Sequence, residues 1–356
     1  MKRIDLILLL SVIFLTFFGL LMIYDASSFV AFRDFADKYH YLKGQFFWVV
    51  LGFAFLAFFS FFDYHKLYNL SLPLMVTSML LLVLVFVPGI GAHLLGASRW
   101  INLKVFLLQP AEFVKLSLAI YLAAWFSNKE KGRLLAFCSL LGFVILLVMA
   151  EPDMGTAIVI LAEALIIYFL SGGKILYFLS LIPVLSAVGF LLIKLSPYRL
   201  RRFETFLNPN QSIQASSYHV KQILITLGNG GVFGVGLGNS LQKYAYLPEN
   251  TTDSIFAIIA EELGFVGAAS LIVVFAVVVW RGFIIASKAP DNFGRLLSCG
   301  IITFLAVQMI INLGAQTVLL PLTGIPLPFI SYGGSALIVD LCSVGILLNI
   351  AKQSSA

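Results

Sequence analysis

Ten apolar runs, each about the length a helix needs to cross a bilayer, fix what this chain can fold into. They fall at about 5–24, 45–63, 71–89, 107–127, 133–150, 154–171, 174–195, 254–280, 295–321 and 334–351. Roughly 20 apolar residues span the hydrocarbon core as a helix. Lipid leaves the backbone groups of an open sheet without partners, so such runs predict a helical bundle. Mean hydropathy is +1.00, and of the 356 residues 60% are hydrophobic and 11% charged, which excludes an ordinary soluble domain. The expected fold class is all-α: a polytopic integral membrane bundle of about ten helices, forming one domain over residues 1–356. A long extracytoplasmic loop at about 196–252 separates the seventh and eighth runs. The first run does not read as a cleavable signal, because no small-residue cleavage site follows it and further spans do.

Charge sets the expected sidedness. Placing Lys2 and Arg3 in the cytoplasm also places Lys66, Lys129, Lys131, Arg133, Lys174, Arg281, Lys288, Arg295 and Lys352 there. The short loops opposite carry Arg33, Lys38, Lys43, Arg99 and Lys104. This bias predicts that both termini are cytoplasmic. The long loop adds Arg199, Arg201, Arg202, Lys221 and Lys243 to the outer side, and long loops cross largely regardless of charge. Such a cluster either meets a phosphate-bearing ligand or rests on anionic lipid headgroups. No basic stripe interleaved with aromatics lies on a soluble face, which argues against nucleic acid. Cys138, Cys299 and Cys342 fall inside apolar runs and act as small hydrophobes. His40, His65, His93 and His219 show no metal-ligand spacing.

Five segments carry the candidate chemistry. The stretch from Tyr244 to Gly264 leads from a polar loop into the eighth run, with Asp253 at the mouth. The preceding turn and cap residues predict Asp253 in the first helical turn, where the helix dipole favours its ionised form. It is placed there either as a reactive carboxylate or as a simple cap. In Gln109-Pro-Ala-Glu-Phe-Val-Lys115, Glu112 and Lys115 share a helix face and either line a polar cavity or neutralise each other within the bundle. Asp153 faces the same compartment as Asp253, whereas Glu163 and Asp340 lie inside runs without an obvious local partner. Residues 218–228 have helical apolar spacing, predicting a surface helix. The glycine-rich 228–239 stretch either cradles phosphate or makes tight turns. Three prolines and three glycines between Leu320 and Ser335 predict a re-entrant or surface loop packed on protein.

These motifs together resemble the SEDS family (shape, elongation, division and sporulation), the group that includes FtsW, RodA and SpoVE. The resemblance rests on Ser98-Arg-Trp-Ile101, Gln109 to Lys115, Pro152-Asp-Met-Gly-Thr156, Gly236-Leu-Gly-Asn-Ser240, Tyr246-Leu-Pro-Glu249, Thr252-Asp253, Glu261-Glu-Leu-Gly264 and Gly324 to Ser335. It covers nearly the whole chain, and the Gly236–Ser240 and Gly324–Ser335 wording is closer to FtsW than to RodA.

The resemblance implies a peptidoglycan glycosyltransferase of the bacterial cytoplasmic membrane, for cell division or cell shape, that polymerises lipid II into β-1,4-linked strands at the outer face. It implies a class B penicillin-binding protein as partner, and it places the catalytic aspartate on Asp253. Substrate-binding or cavity-lining roles are expected for Glu112, Lys115, Arg99, Trp100, Asp153, Lys243, Ser331 and Tyr332. Thr251 and Ser254 depart from the family's usual His and Phe, and Glu151 replaces a more usual Gln. No cofactor is required by the sequence; the departing pyrophosphate also admits a divalent cation, Mg or Mn, though no metal motif commits the chain to one. A lipid flippase and a non-catalytic division scaffold are the competing readings. Gly264, Gly267, Ala268 and Ala269 offer a small-residue face that serves either partner docking or packing within the bundle.

Overall fold

The computed structural model describes residues 4–94, 97–104, 106–128, 134–173, 194, 197–207, 215–244 and 246–354. The described helices are α1 (Leu6–Phe35), α2 (His40–Phe61), α3 (His65–Leu84), α4 (Pro110–Ser127), α5 (Leu134–Ala150), α6 (Met154–Leu170), α7 (Pro197–Leu207), α8 (Ala215–Gly230), α9 (Ile255–Ser287), α10 (Asn292–Gln316) and α11 (Gly334–Ser354). Six of them, α1, α2, α3, α9, α10 and α11, are long and apolar enough to cross a membrane, and α5 and α6 are shorter apolar helices. The apolar run at about 174–195 lies outside the described residues, apart from Lys194.

Two helices form the centre. In their most apolar windows α10 is 72% buried and α11 78%, against 28% for α2, α3 and α9. Helix α11 packs on α2, and α10 packs on α4, α6 and α9. Interior position is what lets these helices carry polar side chains such as Gln308, Asn312, Gln316 and Asp340, all nearly fully buried.

The chain ends its third and starts its fourth helix inside the expected spans. Between them lies a three-stranded antiparallel sheet, β1 (Gly91–Leu94), β2 (Ala97–Asn102) and β3 (Leu107–Leu108). Ala92 pairs with Trp100 and Ile101 with Leu108. Strands β1 and β2 lie in the stretch between the third and fourth apolar runs and β3 at the start of the fourth; strands this short carry too little alternation to be read from the sequence. Pro110, at the first position of α4, fits the helix start.

The described part of the segment between α7 and α9 packs against α9. His219, near the start of α8, meets Ser254 just ahead of α9. Asn229, at the end of α8, donates to Glu261, two turns inside α9, at 3.2 Å. Helix α8 therefore runs beside α9 in the same direction, descending with it, and 231–244 turns back. Val220 and Ile223 bury its inner face. The expected helix over 218–228 is present within α8: one face packs on α9, while Tyr218, Leu224 and Ile225 on the other are exposed.

At the bottom of this descent α9 is kinked. Gly264 adopts φ 68° and ψ −169°, which breaks the helical ladder around it. The glycine turn after α8 satisfies the freed groups: Val235 N–H donates to Glu261 O at 3.0 Å and Gly236 N–H to Glu262 O at 3.0 Å. Phe265 N–H donates to Gly231 O at 2.9 Å and Val266 N–H to Val232 O at 3.1 Å. Broken backbone at this depth needs such protein partners. The glycines thus make tight turns against α9, and Gly264 and Ala268 pack within the bundle, leaving Gly267 and Ala269 half-buried.

Polar ties pin each end. Asp5 caps α1 and pairs with Arg281 near the end of α9. Tyr64 donates to Asp291, which also meets His65 at 3.0 Å. Arg99, Glu151, Arg202 and Asp253 gather at the opposite end.

Candidate active site

Asp253 occupies the turn immediately before α9, two residues ahead of Ile255. It is neither in the first helical turn nor the cap: Ser254 holds the N-cap position. Its backbone is fixed from α10, where Asn312 and Gln316 donate side-chain N–H groups to Asp253 O at 3.0 and 2.7 Å. Asn312 also donates to Ile325 O at 2.8 Å, tying the proline-rich 320–335 loop to the same point. These amides lie four apart on one face of an apolar helix, a spacing readable in the sequence. From that loop, Ser331 Oγ donates to Thr252 O at 2.6 Å and accepts from Leu327 N–H at 2.8 Å. Tyr332 N–H donates to Thr251 O at 2.9 Å. Gln45 of α2 accepts from Gly333 N–H at 3.2 Å and anchors the loop.

The carboxylate opens into a cavity of about 610 Å³ lined by Arg202, His219, Glu249, Asn312, Gln316 and Gly324, among others. No donor among the described residues reaches the Asp253 carboxylate. Burial, then the charge of Glu249, pushes its pKa up to about 7; Arg202 and Arg99 oppose this and Asp153 adds to it. Burial therefore outweighs the dipole argument for the ionised form: without hydrogen bonds to its oxygens, desolvation dominates.

A second cavity of about 300 Å³, lined by Met154, Ile158, Phe203, Ile311, Pro321 and Leu322, shares Arg202 with the first. Arg202 lines both cavities, and it donates to Leu322 O at 2.8 Å. The sequence offered several cations without choosing among them. His219, whose Nε2 lies 2.7 Å from Ser254 Oγ, joins the cavity without any sequence signal, because a lone histidine without metal spacing carries no pattern.

The other expected site residues divide. Arg99 is half-buried and donates to Glu151 O at 3.1 Å and Pro152 O at 2.5 Å, holding the turn before α6. Asp153 caps α6 through Thr156, at 3.1 Å to its N–H and 2.9 Å to its hydroxyl. Glu151 is fully buried and pushed up to about 9, by burial and then by Asp153, so it stays protonated. Trp100 is half-buried in β2. Lys243 is not turned to the cavity: it pairs with Asp25 at 2.9 Å and Glu262 at 3.2 Å. Ser240 donates to Glu261 within the same knot.

Glu112 and Lys115 are each 1% exposed and pair at 2.7 Å in the bundle interior. Lys115 also donates to Gln308 at 2.5 Å, and it lies within electrostatic reach of Glu163 and Asp340. They are among the residues of neither cavity. Among the described residues no three His, Cys, Asp or Glu side chains converge as a metal-ligand set.

Comparison with known proteins joins this geometry to a family. Residues 5–356 match the family of FtsW, RodA and SpoVE, described as cell cycle protein. Stage V sporulation protein E of Bacillus subtilis is 40% identical over 98% of this chain and 97% of its own length. The probable peptidoglycan glycosyltransferase FtsW of Trichlorobacter lovleyi is 41% identical over 98% of this chain and 93% of its own. Among solved structures, one reported for the structural coordination of polymerization and crosslinking by a peptidoglycan synthase complex aligns with TM-score 0.80 and 27% identity, covering 99% of this chain and 98% of that one. The rod shape determining protein RodA of Thermus thermophilus aligns with TM-score 0.71 and 26% identity, covering 99% and 98%. With its helices, its kinked α9 and its pinned aspartate in place, this multi-pass membrane protein belongs to the SEDS family of FtsW, RodA and SpoVE.

Proposed function

We propose that this protein is a peptidoglycan glycosyltransferase that polymerises lipid II, with Asp253 as the general base. The observation that carries the reading is a carboxylate without hydrogen-bond donors, pushed up to about 7, in a cavity shared with Arg202. A base works best with a pKa near the working pH.

Lipid II carries an α-linked muramyl pyrophosphate and the product linkage is β, so the reaction inverts the anomeric carbon. The acceptor hydroxyl gives its proton to Asp253 as its oxygen bonds to the anomeric carbon. The bond from that carbon to the pyrophosphate oxygen breaks, and the lipid pyrophosphate leaves as an anion. Arg202 supplies positive charge where that anion develops. The apolar second cavity on the other side of Arg202 offers room for hydrocarbon.

The chain sits in the bacterial cytoplasmic membrane with Asp253 at the outer face and both termini inside, a placement supported by the distribution of Lys and Arg. Its partner is a class B penicillin-binding protein with a single span, supported by the likeness to a peptidoglycan synthase complex. The test is polymerisation of labelled lipid II by purified protein, with and without that partner. Wild type makes glycan and folded Asp253→Asn makes none; glycan at near wild-type rate from Asp253→Asn overturns the reading.

A further inference from the structure

His219 lies on α8 and lines the Asp253 cavity together with Arg202. Its Nε2 is 2.7 Å from Ser254 Oγ. Ser254 stands at the N-cap of α9, yet its side chain makes no cap hydrogen bond; the hydroxyl meets the imidazole instead. Among the described residues Nδ1 has no hydrogen-bond partner. Burial, and then the positive charge of Arg202, hold the ring down to about 4, so it is neutral at working pH. A neutral imidazole has one donor and one acceptor nitrogen, and the bond made by one decides the role of the other.

We propose that His219 is a further substrate contact of this site: held through Nε2 by the Ser254 hydroxyl, it donates Nδ1–H to a diphosphate oxygen bound beside Arg202. The inference rests on the reading of the cavity as a lipid-diphosphate site. With Ser254 Oγ–H as the donor to Nε2, the ring proton lies on Nδ1. A neutral donor has a specific advantage here. A second cation in the cavity would favour the ionised form of Asp253 and weaken it as a base, whereas an imidazole N–H adds a hydrogen bond to the anion without adding charge.

The test separates binding from turnover. Full-length protein carrying Asp253→Asn is titrated with fluorescently labelled lipid II, and His219→Ala, His219→Asn and Ser254→Ala are added to that background. A lost hydrogen bond to a charged group predicts binding weakened about 10- to 100-fold by His219→Ala. His219→Asn, which keeps a short-reach N–H donor, restores much of the binding. Ser254→Ala weakens it less and adds little to His219→Ala, because both changes remove one device. If His219→Ala fails to fold, His219→Phe, which keeps a ring but donates nothing, carries the same expectation. Unchanged affinity in a folded His219→Ala or His219→Phe protein, or losses from the two sites that simply add, overturns the proposal. Glycan made by Asp253→Asn would sink the base reading instead, so the two failures are distinguishable.

Discussion

Ser331 donates its hydroxyl to the Thr252 carbonyl at 2.6 Å, so a residue of the proline-rich loop fixes the backbone immediately before Asp253. The same oxygen accepts from Leu327 N–H at 2.8 Å. Ser331→Ala removes both bonds and leaves buried backbone groups unpaired, at a cost of about 1–3 kcal/mol. The expected outcome is a lower melting temperature and a fall of about tenfold in kcat, with KM for lipid II little changed. A rate equal to wild type would show that Asn312 and Gln316 hold Asp253 without help from the loop.

Acidity should shape the rate. The base must be unprotonated, so polymerisation rises with pH through about 7, where burial and Glu249 have placed Asp253. Glu249→Gln removes the neighbouring negative charge, while Arg202 and Arg99 still favour the carboxylate. The acid limb of the pH–rate profile then moves to lower pH; no movement, or movement upward, contradicts this assignment.

The same shift bears on stability. A carboxyl raised from 3.8 to about 7 binds its proton more tightly in the folded state than in the unfolded one. Its stabilising share is complete below about pH 4 and is lost as pH rises through 7. Asp253→Asn, which cannot ionise, is therefore expected to melt above wild type at pH 8, by at most about 4 kcal/mol of stability. Equal melting at pH 8 would mean that the ionised carboxylate is well solvated.

Lys115 holds a buried lattice of charge. Lys115→Met strands Glu112 and removes the cation nearest Glu163 and Asp340, at a cost of about 3–5 kcal/mol. Glu112→Gln combined with Lys115→Met should be less damaging than Lys115→Met alone. Thermal unfolding of the purified proteins decides it, and a double variant worse than the single one counts against a self-neutralising pair.

Gly264→Ala tests the kink in α9. The position has φ 68°, and an added Cβ would run into the backbone of Val232, Phe233 and Gly234. Both the strained backbone and the clash oppose the change. Loss of folded protein, or destabilisation by about 3 kcal/mol or more, is expected; Ala268→Ser on the same helix serves as a milder control.

What the sequence determined by itself was what depends on neighbours along the chain. Apolar length set the spanning helices, Pro110 the start of α4, and the prolines and glycines of 320–335 the non-helical loop, because each acts through local backbone geometry or local transfer from water. The base role proposed for Asp253 draws on family resemblance, since a carboxylate before a helix looks the same whether it caps or reacts. Its geometry came from elsewhere: Asn312 and Gln316 reach it from 59 and 63 residues away. The placing of Arg202 at both cavities, the arrival of His219, the turning of Lys243 to Asp25 and the packing of α8 beside α9 were likewise decided only by tertiary structure. They depend on which surfaces meet when the helices pack, and burial at those meetings, not residue type, set which charges were neutralised and which were left to act.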